Sequence, residues 1–162
     1  MIVYKMISVF IYIIFIPVFL FSAIIMITAS LLYFPLFYKI DKICCRLIMS
    51  SLAVWPRVNG AFPAEGTYII MMNHSSFLDV FIFPLIPRGT YSGVTAVENF
   101  KIPVFSTIIR RIRAIPIERK NLFSAIESIK MAEEVLKAGI HIGILPEGTR
   151  TLDGNIGPMK KG

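Results

Sequence analysis

Hydrophobic positions divide the chain into two different regions. Residues 7–37 form an apolar run that no charged side chain interrupts. Beyond this run, short apolar or β-branched segments alternate with polar stretches, as buried strands and their connections do. The first region therefore predicts a membrane segment, and the second predicts a folded α/β domain.

The N-terminal run is longer than the roughly 20 apolar residues that a helix needs to cross a bilayer. It can span once with tilt, or enter and return as a hairpin. Pro17 removes a backbone donor and predicts a kink or break, whereas Pro35 lies where a helix can end. A cleaved signal peptide is a third reading, but its apolar core of roughly 7 to 15 residues is much shorter. We expect residues 1–40 to be a retained membrane anchor.

The rest of the chain, residues 41–162, suffices for one modest domain. Its polar and apolar pattern predicts an α/β fold with a mainly parallel sheet and flanking helices. A helix is expected over residues 122–137, where Asn121 can cap the start and Gly139 the end. Pro116 would place its strand at a sheet edge or a bulge. The predicted strands are 67–72, 90–97, 114–118 and 140–145.

Charge and composition limit the classes of partner that the chain is expected to bind. The chain is 56% hydrophobic with a net charge of +7, and no basic module with interleaved aromatic residues appears. We therefore expect membrane lipids as partners, and no nucleic acid. The excess of basic residues after the anchor predicts that the domain faces the cytoplasm. These residues are Lys39, Lys42, Arg46 and Arg57, against Lys5 alone before the anchor.

Cys44 and Cys45 are adjacent and follow the anchor. Neighbours in sequence rarely form a disulfide, and no histidine nearby completes a zinc site. We predict buried or interfacial thiols and no metal site, with palmitoylation as the alternative.

Polar clusters follow three of the predicted strands. Asn73 and His74 follow the first, Arg119 and Lys120 the third, and residues 146–150 the fourth. The carboxyl ends of strands are where open α/β sheets bind ligands. These clusters are therefore the candidate functional residues.

The stretch NHSSFLD, residues 73–79, has two readings. Five positions along a helix turn about 500°, so His74 and Asp79 cannot share a helical face. With His74 before the helix and Asp79 in its first turn, the carboxylate can orient the imidazole and stabilise its protonated form. Alternatively, Ser76 and Asp79 form a capping pattern, and His74 is an ordinary loop residue.

Four blocks together resemble the glycerolipid acyltransferases that include 1-acylglycerol-3-phosphate acyltransferase. The blocks are NHSSFLD at 73–79, KIPVF at 101–105, AIPIERKN at 114–121 and LPEGTR at 145–150. The resemblance extends from about Tyr68 to the end of the chain. It implies that His74 is the general base and Asp79 its partner. It also implies that Arg119 binds the acceptor's phosphate, and that the acceptor is bound by Glu147, Gly148 and Arg150.

The implied reaction moves a fatty acyl group from an acyl-CoA or acyl-carrier-protein thioester to lysophosphatidic acid, giving phosphatidic acid. The acyl-CoA or acyl-carrier-protein thioester is a substrate, so no bound cofactor is expected. Another lysolipid or an amino-acid-containing lipid is an alternative acceptor. A noncatalytic membrane scaffold or lipid-binding remnant is the alternative from a different class. An esterase is disfavoured because the sequence has no GxSxG motif.

Each implied role has a structural alternative. Arg119 can be a solvated turn charge, and Gly148 can serve only the turn. Glu147 can cap a helix or pair with Arg150. His141 alternates within a strand and is expected to be a core or interface histidine.

The chain also departs from the family pattern. Arg113 stands where many relatives have glycine, and residues 95–97 lack the lysine that often precedes the glutamate matching Glu98. A phosphate contact is then missing, or is supplied by Arg111 or Arg113. The final GPMKKG resembles the lead-in to the family's fourth block, so we expect the sequence to be truncated before that block.

Overall fold

The computed structural model describes residues 2–118, 122–151 and 155–159. The chain divides into two compact units. The first comprises Met1–Gly60 and Val80–Ile86, and the second comprises Ala61–Asp79 and Pro87–Gly162. The division predicted from the sequence, with a boundary after residue 40, stays a prediction.

The first unit begins with helix α1, Ile2–Leu32, which continues through Pro17. The break that Pro17 predicted therefore does not occur. Within the described residues, α1 is the only helix long and apolar enough to cross a membrane, by length and composition. Its apolar segment Met6–Leu32 contains an 18-residue stretch with a mean hydropathy of 2.8, of which 11% is buried, as expected of side chains that contact lipid.

Helix α2, Phe34–Ser51, begins one residue later with Pro35 in its first turn, where a missing N–H is tolerated. It lies alongside α1, since the Cys44 sulfur is 3.9 Å from the Ser22 carbonyl oxygen. Ser22 and Ser30 are buried on α1, and such small residues allow two helices to approach closely. The buried apolar residues of α2 are Phe37, Tyr38, Cys44, Cys45, Ile48 and Met49.

Both cysteines are free and buried, which confirms the prediction of buried thiols. Burial raises the pKa of Cys44 and, more strongly, that of Cys45, where the nearby Asp41 carboxylate acts in the same direction. The thiols therefore stay protonated and react poorly.

The second unit contains a four-stranded sheet in the order β1-β4-β2-β3. All three neighbouring pairs are parallel, with Ile142 of β4 opposite Ile69 on one side and Ser92 on the other. This confirms the predicted α/β fold, although each strand is shorter than predicted. The strands are β1 Ile69–Met71, β2 Tyr91–Ala96, β3 Ile115–Ile117 and β4 His141–Ile144. Pro116 lies on β3, at an edge of the described sheet, as expected.

Helix α5, Leu122–Lys137, packs against β3 and β4. Its predicted end is confirmed, because Gly139 has φ +75° and the N–H groups of Gly139 and Ile140 donate to the carbonyls of Leu136 and Val135. Asn121, the predicted start cap, lies outside the described residues. Ile115, Val135 and Ile142 form the core between α5 and the sheet.

Short helices complete the described elements. Helix α3, Asp79–Ile82, is followed by a 3₁₀ turn at Phe83–Leu85. A second 3₁₀ turn, Val97–Lys101, follows β2 and leads towards helix α4, Phe105–Arg111.

Candidate active site

The loops after β1 and β4 emerge side by side at the carboxyl ends of the strands, because these two strands are parallel neighbours. The ladder extends beyond β1, where the N–H of Met72 donates to the Ile144 carbonyl at 3.2 Å. The first loop carries His74 and the second carries Glu147. The strand order thus brings together two of the three polar clusters of the sequence.

His74 and Asp79 contact each other directly. Nδ1 of His74 lies 2.7 Å from Oδ2 of Asp79. His74 precedes α3, and Asp79 is the first residue of that helix, which is the arrangement expected from the helical angle. The Asp79 side chain is 5% exposed and the His74 side chain 22% exposed, so the ring alone reaches solvent appreciably.

The surroundings of Asp79 determine which ring nitrogen of His74 carries the proton. Its Oδ2 also accepts the backbone N–H groups of Ser75 at 3.0 Å and Ser76 at 3.1 Å. An oxygen that accepts two such bonds is an acceptor towards the ring as well, so Nδ1 is the donor. In the neutral ring this leaves the lone pair on Nε2 available to take a proton.

The hydrogen bonds of the capping alternative are also present in this stretch. Oγ of Ser76 accepts the N–H of Leu78 at 3.1 Å, and the Ser76 carbonyl accepts the N–H of Asp79 at 3.3 Å. Asp79 returns a bond to the Ser76 N–H, as the second half of a capping box does. The capping bonds are therefore compatible with the His74–Asp79 pair, since one carboxylate both orders the turn and orients the ring.

Glu147 is 2% exposed and binds the His74 loop through the backbone. Its Oε1 accepts the N–H of His74 at 2.8 Å, and its Oε2 accepts the N–H of Gly157 at 2.9 Å. The N–H of Thr151 donates to the carbonyl of His74 at 3.0 Å. Both backbone polar groups of His74 are thus held by the segment that follows β4.

Thr151 and Gly157 were not identified from the sequence as residues that hold the site. At Gly157 a Cβ atom would lie 3.0 Å from Oε2 of Glu147 and 3.3 Å from the Thr151 methyl group. The glycine therefore permits the close approach of this backbone to the carboxylate. In the sequence, only the presence of a glycine at position 157 indicated a close backbone approach. It did not indicate that the neighbour is the Glu147 carboxylate.

The remaining predicted site residues have different surroundings. Gly148 has φ +65° and donates its N–H to the Leu145 carbonyl, which is turn chemistry. Arg150 is exposed, and the described ion pairs do not include one between it and Glu147. Arg119 lies outside the described residues. The substrate-binding roles of these residues stay predictions.

His141 lies at the start of β4, at the opposite end of the strand from Glu147. It is buried, and its Nδ1 accepts the backbone N–H of Tyr68 at 3.1 Å. Its ring packs against the rings of Phe62 and Tyr68. This confirms the prediction of a core histidine.

Two departures from the family pattern have local consequences. Arg113 has φ +57°, a conformation that glycine adopts without strain, and its carbonyl accepts the Ser92 hydroxyl at 2.8 Å. Thr95 accepts a hydrogen bond from the Asn99 amide at 2.6 Å. An open groove of about 550 Å³ lies beside β3 and is lined in part by Arg113 and Arg110, but His74 is not among its residues. A phosphate contact from Arg111 or Arg113 stays a prediction.

Among residues 2–118, 122–151 and 155–159, no group of three or more His, Cys, Asp or Glu side chains could hold an ion.

Comparisons with known proteins agree with this architecture. Residues 56–162 match the profile of the family described as Acyltransferase. A chloroplast 1-acyl-sn-glycerol-3-phosphate acyltransferase of Brassica napus is 35% identical over 95 residues, covering 58% of this chain and 27% of that protein. A 1-acyl-sn-glycerol-3-phosphate acyltransferase of Cocos nucifera is 34% identical over 119 residues, covering 72% of this chain and 38% of that protein. The chain thus spans between about a quarter and two fifths of the length of these relatives.

A solved structure shares the fold. The crystal structure of the 1-acyl-sn-glycerophosphate acyltransferase PlsC from Thermotoga maritima superposes with a TM-score of 0.75 at 22% identity. The match covers 97% of this chain and 66% of that one. The profile match extends over the sheet, both loops that meet at its edge and the His74–Asp79 pair. The chain belongs to the acyltransferase family.

Proposed function

We propose that the protein transfers a fatty acyl group from a thioester of coenzyme A or acyl-carrier protein to 1-acyl-glycerol-3-phosphate, giving phosphatidic acid. The observation that carries the proposal is the 2.7 Å contact between Nδ1 of His74 and Oδ2 of Asp79, which leaves Nε2 as the basic nitrogen. The names of the relatives support the acceptor, because those proteins are acyltransferases for 1-acyl-sn-glycerol-3-phosphate.

In the proposed reaction His74 is both base and acid. Nε2 takes the proton of the acceptor hydroxyl while its oxygen attacks the thioester carbonyl, and a tetrahedral oxyanion forms. The carbon–sulfur bond then breaks, and the departing thiolate takes the proton back from the imidazolium. Asp79 stabilises the imidazolium between these steps. A thioester is already activated, so positioning and one proton shuttle are the main requirements.

The acceptor's phosphate is assigned to Arg150 and Arg119. Arg150 directly precedes Thr151, whose N–H contacts the His74 carbonyl, and its exposed guanidinium suits a phosphate with two parallel hydrogen bonds. Arg119 is assigned the same role by the family resemblance. Another lysolipid is the alternative acceptor, because residues 95–97 lack the lysine that often precedes the glutamate matching Glu98 in the family.

The length and composition of α1 support membrane attachment, and its apolar segment Met6–Leu32 is the proposed anchor. The excess of basic residues after this segment supports a cytoplasmic orientation of the domain. The acceptor would then reach the site from the membrane in which it dissolves.

The test is acyl transfer by the protein in phospholipid vesicles, with each thioester donor supplied in parallel. Folded His74→Ala should lose acylation of lysophosphatidic acid. The matched control is His141→Asn, whose amide oxygen can replace Nδ1 as acceptor for the Tyr68 N–H and which should retain most activity. Undiminished turnover by folded His74→Ala would refute the base assignment. Absence of thioester consumption with both donors would favour a noncatalytic scaffold.

A further inference from the structure

The turn between the second 3₁₀ helix and α4 exposes apolar side chains. We call Lys101–Val104 the KIPV loop; all of its four residues are exposed. Ile102 and Val104 each leave 47% of their surface uncovered. Apolar residues exposed next to each other on a tight turn are a feature of surfaces that contact a partner or a membrane.

The KIPV loop is tightly hydrogen-bonded. The carbonyl of Ile102 accepts the N–H of Ser106 at 2.9 Å, and the carbonyl of Val104 accepts the N–H of Thr107 at 3.1 Å. The N–H of Phe105 donates to the Pro103 carbonyl at 2.7 Å, which closes a three-residue turn around Val104. The backbone thus fixes the loop at the start of α4 with its apolar side chains outward.

Val104 adopts a strained conformation in this turn. Its φ is +68° and its ψ −58°, the rarer of the two γ-turn geometries, and φ above zero is exceptional for a β-branched residue. Glycine would adopt this geometry freely. Because an exposed valine adds little to the interior, its presence at a strained position points to a role for the side chain outside the fold.

Basic residues lie within the KIPV loop and follow it in sequence, while Glu98 precedes it. Residues 99–113 contain no Asp or Glu. The guanidinium of Arg110 lies 5.2 Å from the centre of the Phe100 ring and donates to the Phe100 carbonyl at 3.4 Å, which holds this charge beside the loop. Lys101 and Arg111 are exposed. The region therefore combines an apolar tip with a cationic margin.

We propose that the KIPV loop is a second membrane contact, which inserts Ile102 and Val104 among the headgroups of an anionic bilayer while the basic margin contacts lipid phosphates. An apolar tip with a cationic margin is the pattern of interfacial membrane binding. The proposed anchor α1 keeps the second unit close to the bilayer, so a weak contact suffices. The inference rests on the proposed membrane placement of α1 and not on acyl transfer.

The test places an environment-sensitive nitrobenzoxadiazole label at Val104→Cys in the full chain, reconstituted in phosphatidylcholine vesicles with or without phosphatidylglycerol. The buried Cys44 and Cys45 have raised pKa values, so the label goes to the new thiol. In anionic vesicles we expect blue-shifted emission that nitroxide-labelled lipids quench. Lys101→Gln and Arg111→Gln should each weaken insertion about fivefold, as one basic residue near an anionic surface contributes.

The matched control is the same label at Lys130→Cys, an exposed position on α5, which should remain open to aqueous iodide. Equal iodide access at both positions would overturn the proposal. A label at position 104 that is shielded from iodide but unaffected by nitroxide lipids would also overturn it, because protein would then cover the loop. Release of the chain from vesicles by alkaline carbonate would also overturn the proposal, because it would show that α1 is not a membrane anchor. Acyl transfer is measured in a separate assay, so failure of the proposed reaction is distinguished from failure of the membrane contact.

A variant separates the strain from the membrane contact. Val104→Gly removes the strain together with the apolar side chain. We expect its thermal unfolding midpoint to be unchanged or higher. With the label moved to Ile102→Cys, the same change should reduce quenching by nitroxide lipids. Undiminished quenching would show that Val104 does not contribute to the membrane contact.

Discussion

Glu147→Gln distinguishes a positioning role of Glu147 from the acceptor-binding role that the family resemblance implies. The carboxylate accepts the N–H of His74 at 2.8 Å and that of Gly157 at 2.9 Å. A glutamine has one acceptor oxygen, so one of these N–H groups must face an NH₂ group. The substitution keeps the shape of the side chain and removes its charge and one hydrogen bond.

The expected magnitude follows from those two bonds. A hydrogen bond to a charged group contributes about 1.5–3 kcal/mol. If the loss of one bond appears wholly in the placement of His74, kcat falls roughly 10- to 150-fold, because about 1.4 kcal/mol corresponds to a factor of ten. The KM for the acceptor should change little, since both carboxylate oxygens are directed at the backbone.

The assay is steady-state acylation in mixed micelles, with the donor saturating and lysophosphatidic acid varied. Glu133→Gln is the matched control, because Glu133 is exposed on α5 and pairs with Lys137. Both kinetic constants should stay unchanged in the control. A Glu147→Gln enzyme with normal kcat and a strongly raised KM for lysophosphatidic acid would refute the positioning role and favour direct acceptor binding.

Three further substitutions test neighbouring contacts. Asp79→Asn should lower the rate by about 10³- to 10⁴-fold, because the required tautomer of His74 is lost. Ser76→Ala should reduce stability by about 0.5–2 kcal/mol and leave the rate largely unchanged. Equal rate losses in the two variants would contradict the separate roles. Arg113→Gly should raise the free energy of unfolding by about 0.5–1 kcal/mol, because the relief of strain at positive φ exceeds the cost of a more flexible unfolded chain. A lower unfolding midpoint would contradict this expectation. Gly157→Ala should lower kcat, because its Cβ would lie 3.0 Å from Oε2 of Glu147; an unchanged kcat would show that the segment yields freely.

Sequence reasoning succeeded where the determinants are local. The His74–Asp79 contact follows from a short separation and from the position of a helix start, both of which the sequence displays. The end of α5 follows from Gly139, whose positive φ is a local requirement. The parallel α/β architecture likewise follows from the alternation of strand and helix patterns.

Contacts between distant segments could not be predicted. The bonds from Glu147 to His74 and from Thr151 to the His74 carbonyl require β4 to lie beside β1, and the strand order β1-β4-β2-β3 is not encoded in any single segment. The continuity of α1 through Pro17 was also missed. A proline removes one donor, but the helix can continue where its other backbone bonds are kept.

The central claim is that Asp79 holds the proton on Nδ1 of His74 and leaves Nε2 as the base. The most direct measurement is ¹⁵N NMR of histidine-labelled protein at a pH where the imidazoles are neutral. The chain has two histidines, so His74→Ala assigns the signals, and His141 is an internal reference because its Nδ1 accepts the Tyr68 N–H. The account predicts a protonated Nδ1 and an unprotonated Nε2 at His74, with the opposite tautomer at His141. A proton on Nε2 of His74 would contradict it.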